Sequence, residues 1–393
     1  MKISGIIAEY NPFHNGHKYQ LEEVRKNSDI IIVIMSSSFT QRGTPAILDK
    51  FTRSEIAIKN GANLVLELPV IYSSSNAEYF SKGAIFILNS LGIIDNLYFG
   101  SENKLEDITS INEKIKENKD IFEENLKINL SLGHSYLVSR EKSMTFLNED
   151  EINILKKPNN ILGFEYIKAL EYFNSNIKPQ AILRKDVDHG SIITTNNFSS
   201  ASNIRDLYSN KNFTDIIDFL PKESLDALKN INTNNFNNYF DIIKFLIIQN
   251  KINYEKYFDY ENGLENRFLK FIDSYNIDHF IDNISTKRYT KSRISRLLNN
   301  ILLDIDSDFI KSSFNSPYVR VLAMDDLGAK ALKSSNVDII NKFSKINNIT
   351  DPVLKRIAEK EVFATNLYNQ FTNKIVNQDF FKSPIFIKKE LRD

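Results

Sequence analysis

Two histidines separated by two residues, His14 and His17, are the side chains of this sequence best placed to do chemistry. They flank Asn15 and Gly16, directly after a short apolar run, where a helix is predicted to begin. Imidazoles at positions i and i+3 share one face of the first helical turn. A helix N-terminus attracts phosphates, and histidines there can donate hydrogen bonds to phosphate oxygens as charge builds on a leaving diphosphate. Gly16 lets a nucleotide approach the backbone closely.

The same histidine pair allows two other interpretations. Such histidines can be helix caps or ordinary surface residues, but the strand–loop–helix context favours the phosphate-binding role. A zinc site is disfavoured, because zinc needs three or four ligands and no acid or cysteine completes a set around the pair. The sequence thus predicts no dedicated metal site, and Mg²⁺ is expected only as a companion of ATP.

Short apolar runs alternate with amphipathic stretches in the first half of the chain. The strands and helices that this alternation predicts must position the histidines. Runs that are apolar on both faces predict buried parallel strands, here 3–7, 30–35, 64–68, 97–99 and 180–184. The stretches through Lys26 and over 50–60, 76–91 and 159–173 have helical patterns, and Gly61 suits a helix C-cap. We therefore predict an α/β fold with a Rossmann-like, doubly wound parallel sheet. In such sheets ligands bind at the carboxyl ends of the strands.

The remaining segments are predominantly helical. Residues 103–158 predict a polar helical insertion, and the segments 204–230, 237–250, 264–276, 290–304 and 352–377 predict further helices. Little strand signal occurs beyond Ser200 until the last residues. We predict an ATP-binding domain over residues 1–200 and a mainly helical domain over residues 201–393.

Composition limits the class of protein. A chain of 393 residues with 42% hydrophobic and 25% charged residues is expected to bury cores in two domains. The zero formal net charge provides no global field for nucleic acids or membranes, so any RNA site must be a local patch. The absence of cysteine excludes disulfides and thiolate metal sites. The short apolar start predicts no signal peptide, and no run is long enough to span a membrane, so we expect a cytoplasmic protein.

One local patch of this kind is present and is called here the basic stripe. Its five cations fall within ten residues: Lys287, Arg288, Lys291, Arg293 and Arg296. Tyr289 among them could stack on an unpaired base, while the cations neutralise phosphates. The alternative is a solvated helix face, which is the commoner fate of a charge run.

The sequence around the histidines resembles known families. H-x-G-H is the signature of the nucleotidyltransferase superfamily, and the string from Ile6 to His17 is similar to the opening of the bacterial tRNA(Met) cytidine acetate ligases. Other motifs similar to that family follow in order along the chain: Gln41-Arg42-Gly43, Glu67-Leu68-Pro69, Phe99-Gly100-Ser101-Glu102, Asn159-Asn160-Ile161-Leu162-Gly163, Lys287-Arg288-Tyr289-Thr290, Ser292-Arg293-Ile294 and Pro317-Tyr318-Val319-Arg320-Val321-Leu322. The resemblance spans nearly the whole chain.

The resemblance implies an activity and its partners. Members of the family use ATP to convert acetate to acetyl-adenylate, and pass the acetyl group to the exocyclic amine of the wobble cytidine of elongator tRNA(Met). It implies that His14 and His17 are catalytic and meet the phosphates, and that the basic stripe contacts tRNA. The ATP-binding residues that it implies are Ile7, Ala8, Glu9, Tyr10, Asn11, Pro12, Phe13, His14, Asn15, Gly16, His17, Lys18, Tyr19 and Gln20, with Gly100, Asn159 and Arg184.

Several alternatives stay open at this point. Gly100 could simply end a strand, Asn159 could cap a helix, and Arg184 could be a surface cation. The chain could also be a small-molecule adenylyltransferase without an RNA substrate, or a tRNA-binding protein without catalysis. One departure from the family is visible: Ser36-Ser37-Ser38 replaces a stretch in which a glycine is expected, which predicts a stiffer loop after the second strand. The oligomeric state is left open.

Overall fold

A seven-stranded sheet forms the centre of the molecule. The computed structural model describes residues 1–184, 198–210, 212–231, 237–335 and 337–388. The strands are β1 (Ile3–Ala8), β2 (Ile30–Ser36), β3 (Leu64–Leu68), β4 (Asn96–Ser101), β5 (Lys178–Leu183), β6 (Val321–Met324) and β7 (Ile385–Phe386). They lie in the order β5-β4-β1-β2-β3-β6-β7, and β1 to β5 are parallel.

The apolar runs form the central strands because both faces of the sheet are covered by helices. Every residue of β2 and of β3 is buried. The direction in which strands are added reverses between β1 and β4, which creates the switch point where doubly wound sheets bind ligands. The predicted α/β fold is confirmed.

Nine helices accompany the first five strands. They are α1 (Asn15–Arg25), α2 (Lys50–Lys59), α3 (Val70–Ser73), α4 (Ala77–Ser90), α5 (Leu105–Glu117), α6 (Lys119–Ser131), α7 (Tyr136–Ser143), α8 (Glu149–Ile154) and α9 (Pro158–Tyr172). Helices α5 to α8 occupy the segment predicted as a helical insertion. Gly61 follows α2 with φ of +121°, a backbone conformation that suits glycine after a helix.

The second half of the chain contains ten α-helices in its described residues. They are α10 (Ala201–Ser209), α11 (Lys222–Lys229), α12 (Asn237–Ile248), α13 (Leu264–Lys270), α14 (Ile277–Ile284), α15 (Lys291–Leu303), α16 (Ser307–Ser312), α17 (Asp326–Lys333), α18 (Pro352–Phe371) and α19 (Gln378–Phe381). Short 3₁₀ turns cover Phe213–Phe219, Tyr254–Lys256, Ser313–Asn315 and Phe343–Asn348. Along the described ranges, no helix is both long enough and apolar enough to cross a membrane.

One expectation about the second half is wrong. Little strand signal was expected before the last residues, yet β6 pairs antiparallel with β3 in the middle of this half. Four residues are too few for a strand period to stand out, and the sheet supplies the pairing that stabilises them. The predicted helix 204–230 is also divided into shorter elements, and the helix predicted over 264–276 ends early, at Lys270.

A buried charge cluster joins the two halves of the chain. The Lys50 ammonium lies 2.5 Å from Glu67 and 2.9 Å from Asp379, and the Arg320 guanidinium lies 3.1 Å and 2.8 Å from the same carboxylates. All four side chains are almost fully buried. The residues next to the predicted boundary, 185–197, lie outside the described residues. The division of the chain near residue 200 therefore stays a prediction.

Candidate active site

The histidine pair, His14 and His17, lies where β1 gives way to α1. The two rings stack with centroids 3.7 Å apart and planes 21° from parallel, so they share a face as predicted. The backbone N–H of His14 donates to Nδ1 of His17 at 3.2 Å, which leaves the proton of a neutral His17 on Nε2. Nδ1 of His14 is buried and has no hydrogen-bond partner within the described chain. A side chain at Gly16 would approach Cε1 of His14 to 2.9 Å, so it would displace the His14 ring.

Both imidazoles are neutral at physiological pH. Burial lowers the pKa of His14 to about 3, and the charges of Arg184 and Arg205 add to the effect. Burial also holds the pKa of His17 well below its ordinary value, with His14 and Arg184 adding to it. The histidines can therefore offer hydrogen bonds rather than fixed positive charges, and Arg184 and Arg205 are the cations beside them.

The loop between β1 and α1 forms one wall of a cleft of about 1110 Å³. Of the predicted ATP-binding loop, the residues that line this cleft are Ile7, Ala8, Glu9, Tyr10, Asn11, His14, Gly16, His17, Tyr19 and Gln20. Pro12, Phe13, Asn15 and Lys18 are not among the lining residues. The buried Phe13 ring packs 5.6 Å from that of His17, and the Asn15 amide donates to the Asp218 carbonyl at 2.8 Å. These two residues hold the loop in place.

The residues predicted on the other side of the switch point are brought to the same cleft. Gly100, Asn159 and Arg184 all line it. A side chain at Gly100 would meet only Cγ of Arg184, at 3.8 Å, so the space beside this glycine is open. Asn159 lies inside the first turn of α9, whose N-cap is Lys157, so the capping alternative is wrong. Its amide donates to Glu102, which also accepts the Asn160 N–H at 3.0 Å.

Sequence reasoning gave no role to Arg205, which lies on the cleft wall. Its Nη1 donates to the Asn11 carbonyl at 2.6 Å, and its charge reaches His14. It follows Ser199 and Ser200, which also line the cleft at the start of α10. No motif marks an arginine in a helix as a ligand, so only the folded chain identifies it. Gln41 and Arg42 belong to a recognised motif and line the cleft as well.

The loop after β2 shows how the chain tolerates the serines at 36–38. All three are buried, and none is among the residues with a positive φ, so the backbone here needs no glycine. The loop closes on itself where the Gly43 N–H donates to the Thr40 carbonyl at 2.8 Å. Ser295 of α15 donates to the Gly43 carbonyl at 3.1 Å, so the loop packs against the helix that carries most of the basic stripe.

The basic stripe lies beside the cleft, and most of its cations have carboxylate partners. Helix α15 buries Ile294, Leu297 and Leu298 as predicted. Lys291 and Arg296, which line the cleft, pair with Asp282 at 2.6 Å and Asp259 at 2.8 Å, respectively. Arg288 and Arg293 both pair with Glu261. Three carboxylates thus offset part of the charge of the five cations, which the spacing of cations in the sequence could not indicate.

No cluster suited to a metal ion is found among the described residues. Within these ranges, no group of three or more histidine, aspartate or glutamate side chains is gathered as metal ligands would be.

A Rossmann-like sheet with an H-x-G-H pair at its switch point defines a nucleotidyltransferase. The model of the family "HIGH Nucleotidyl Transferase" matches residues 1–382. The chain is 38% identical to the tRNA(Met) cytidine acetate ligase of Clostridium botulinum strain Kyoto over 416 aligned positions, which cover 100% of both chains. It is 35% identical to the tRNA(Met) cytidine acetate ligase of Clostridium perfringens strain SM101, covering 99% of this chain and 100% of the relative.

Solved structures agree with this assignment. Thermotoga maritima TmcAL bound with alpha-thio ATP is 31% identical, with a TM-score of 0.89, and covers 99% of this chain and 100% of its own. Its apo form has a TM-score of 0.91 at 30% identity, with the same coverage. The chain belongs to the tRNA(Met) cytidine acetate ligase family of HIGH nucleotidyltransferases. The resemblance drawn from the sequence motifs is confirmed.

Proposed function

We propose that this chain is an ATP-dependent tRNA(Met) cytidine acetate ligase. It joins acetate to ATP as acetyl-adenylate, releasing diphosphate, and transfers the acetyl group to the exocyclic amine of the wobble cytidine of elongator tRNA(Met). The products are N4-acetylcytidine in the tRNA and AMP. The observation that carries the proposal is the stacked histidine pair at the switch point of a fold whose TmcAL relative binds alpha-thio ATP.

The first step is nucleotidyl transfer to a carboxylate. An acetate oxygen attacks the α-phosphorus, the bond from that phosphorus to the β-phosphate bridging oxygen breaks, and diphosphate leaves. Nε2–H of His17 donates a hydrogen bond to a phosphate oxygen as charge develops, and Arg184 and Arg205 balance the charge without being deprotonated. Mg²⁺ bound with the triphosphate would supply further positive charge beside the phosphate oxygens.

The second step is acyl transfer to a weak nucleophile. The N4 amine of cytidine attacks the acetyl carbonyl, the bond from this carbon to the phosphate oxygen breaks, and AMP leaves while N4 loses a proton. The same cleft is lined by His14 and by Lys291 and Arg296 of α15, so an acetyl-adenylate formed at the loop need not leave it.

Residues 201–393 are proposed to carry the tRNA, with the basic stripe as a phosphate contact. Binding requires phosphates to exchange with Asp282 and Glu261. Exposed ion pairs stabilise a protein by only about 0–1 kcal/mol, so this exchange costs little. The three proposed substrates, ATP, acetate and tRNA, are consistent with an enzyme that acts in the cytoplasm.

The proposal is tested with purified protein, ATP, radiolabelled acetate and tRNA(Met) transcript. We expect AMP, diphosphate and N4-acetylcytidine at the wobble position, detected by nucleoside mass spectrometry. A small-molecule adenylyltransferase would release diphosphate with another acid and leave the tRNA unmodified. A non-catalytic tRNA-binding protein would bind the transcript and release no diphosphate. Either of these outcomes contradicts the proposal. His134→Ala, outside the cleft, is the matched histidine control.

A further inference from the structure

Arg53, on helix α2, is completely buried and makes an unusual set of contacts. Its Nε donates to the Leu48 carbonyl at 2.9 Å, and its two terminal nitrogens donate to the carbonyls of Glu9, Ser36 and Ser37. The distances to Glu9 and Ser36 are 2.6 Å and 3.0 Å. Among the described residues no carboxylate forms an ion pair with this guanidinium. Its charge is therefore satisfied by four backbone carbonyls.

Three of these carbonyls, those of Glu9, Ser36 and Ser37, lie at the carboxyl ends of β1 and β2. Glu9 directly follows β1, and Ser36 is the last residue of β2. The chain turns sharply after Glu9, where Tyr10 has φ of +48°, a strained conformation for a residue other than glycine. The Glu9 side chain accepts the Gln41 N–H at 2.7 Å, so the two loops are also joined to each other. Arg53 thus connects both loops that line the cleft beside the histidine pair.

We propose that Arg53 is a positioning residue for ATP binding. It acts through the Glu9 carbonyl and the serine loop, because its own side chain is not among those lining the cleft. The planar guanidinium has five N–H donors in fixed directions, and this geometry orients several carbonyls at once. Without it, the turn at Tyr10 loses the contact that anchors its N-terminal side, and the histidines that follow are displaced. In naming ATP as the ligand, the inference rests on the proposed function.

The chain contains a matched control for Arg53 at the amino ends of the strands. Arg25, half-buried, donates to the carbonyls of Asp29 and Gly61 at 2.6 Å and 2.7 Å, and to Oδ1 of Asn63 at 2.6 Å. These groups precede β2 and β3 rather than following β1 and β2. Arg25 therefore binds carbonyls at the amino ends of the strands as Arg53 does at their carboxyl ends, and it is not among the residues that line the cleft.

The experiment compares Arg53→Lys and Arg53→Gln with Arg25→Lys. For each variant we measure ATP affinity by calorimetry, the kcat and KM of acetate-dependent diphosphate release, the melting temperature, and amide hydrogen exchange in the absence of ATP. We expect Arg53→Lys to raise the Kd and KM for ATP by about tenfold or more, because misplacement by a fraction of an ångström is felt in binding. Amides of residues 10–17 should exchange roughly tenfold faster. Arg25→Lys should lower the melting temperature and leave ATP affinity within about twofold, as expected for a site outside the cleft.

Each outcome of this experiment either supports or overturns the role proposed for Arg53. Wild-type ATP affinity in a folded Arg53→Lys protein overturns the proposal, and so does an equal loss of affinity in Arg25→Lys. If both Arg53 variants fail to fold while Arg25→Lys folds, the role of Arg53 is purely structural and the proposal is wrong. Should the wild-type protein bind no ATP, the proposed function fails, while loop exchange still tests whether Arg53 orders residues 10–17.

Discussion

The histidine pair lies in the cleft and the basic stripe lies beside it, and these two clusters of chemically active side chains differ in their partners. His14 is buried with an unpaired nitrogen, whereas four cations of the stripe pair with carboxylates of the same chain. A buried polar group without a partner costs about 1–3 kcal/mol, which a ligand can recover. Exposed ion pairs are worth about 0–1 kcal/mol and say little about a ligand. The partners of a charged group thus indicate its role better than its charge does.

The largest expected effect is on the histidine pair. His14→Ala or His17→Ala should lower the rate of acetate-dependent diphosphate release by on the order of a hundredfold or more, as for loss of one transition-state donor. The melting temperature should stay close to that of the wild type. Wild-type turnover in both variants, with His134→Ala as the control, would remove the pair from the catalytic site.

The second-largest expected effect is on ATP binding by Arg184 and Asn159, which lie on the far side of the switch point. Arg184→Ala should weaken ATP binding by roughly 1–3 kcal/mol, the value for a lost charge-assisted hydrogen bond. Asn159→Ala should have the smaller effect of the two, because its amide already donates to Glu102. Calorimetry measures both, with Lys178→Ala at the start of β5 as the control. Unchanged ATP affinity in Arg184→Ala would show that its charge acts only on the histidines.

A third prediction follows from the lowered pKa of His14, which is about 3 in the folded protein. The unfolded chain binds a proton on this residue near pH 6.5 and the folded protein does not. Stability is therefore complete above about pH 6.5 and falls as the pH decreases towards 3, by up to about 1.4 kcal/mol per pH unit for this residue. Urea unfolding of wild type and His14→Gln between pH 7 and 4 isolates this contribution. Parallel pH profiles of the two proteins would contradict it.

The smallest expected effect is on the basic stripe. Changing Lys287, Arg288 and Lys291 together to Ala removes up to three phosphate contacts, so the salt slope of tRNA binding should become shallower by about 0.7–0.9 per lost contact. Diphosphate release without tRNA should stay near that of the wild type, and acetylation of the tRNA should fall.

Removing a partner of the stripe sharpens this test. Glu261→Gln frees Arg288 and Arg293 and should strengthen tRNA binding, since phosphates then compete with no carboxylate. If the triple variant binds tRNA with wild-type salt dependence, and Glu261→Gln has no effect, the stripe is a solvated face and the RNA is held elsewhere.

Local patterns accounted for the parallel part of the sheet and for the ATP loop. The five parallel strands and helices α1, α2, α4 and α9 lie within a few residues of their predicted bounds, because burial on both faces and helical periodicity leave strong local signals. Strand β6 had no such signal, since only its pairing with β3 makes four residues a strand. The predicted roles of the site residues await the experiments above.

The order of residues alone determined that a strand, a loop and a helix would bring His14 and His17 onto one helical face beside Gly16. These relations span a few residues and follow from backbone geometry. Tertiary structure alone decided the protonation of the pair, because burial and the charges of Arg184 and Arg205 come from segments distant in the chain. It also decided that Arg53 gathers the carbonyls of two loops, and that Glu261 and Asp282 pair with cations of the stripe. Electrostatic interactions and hydrogen bonds depend on the distance between two groups in the folded protein. The number of residues between them in the sequence does not determine that distance.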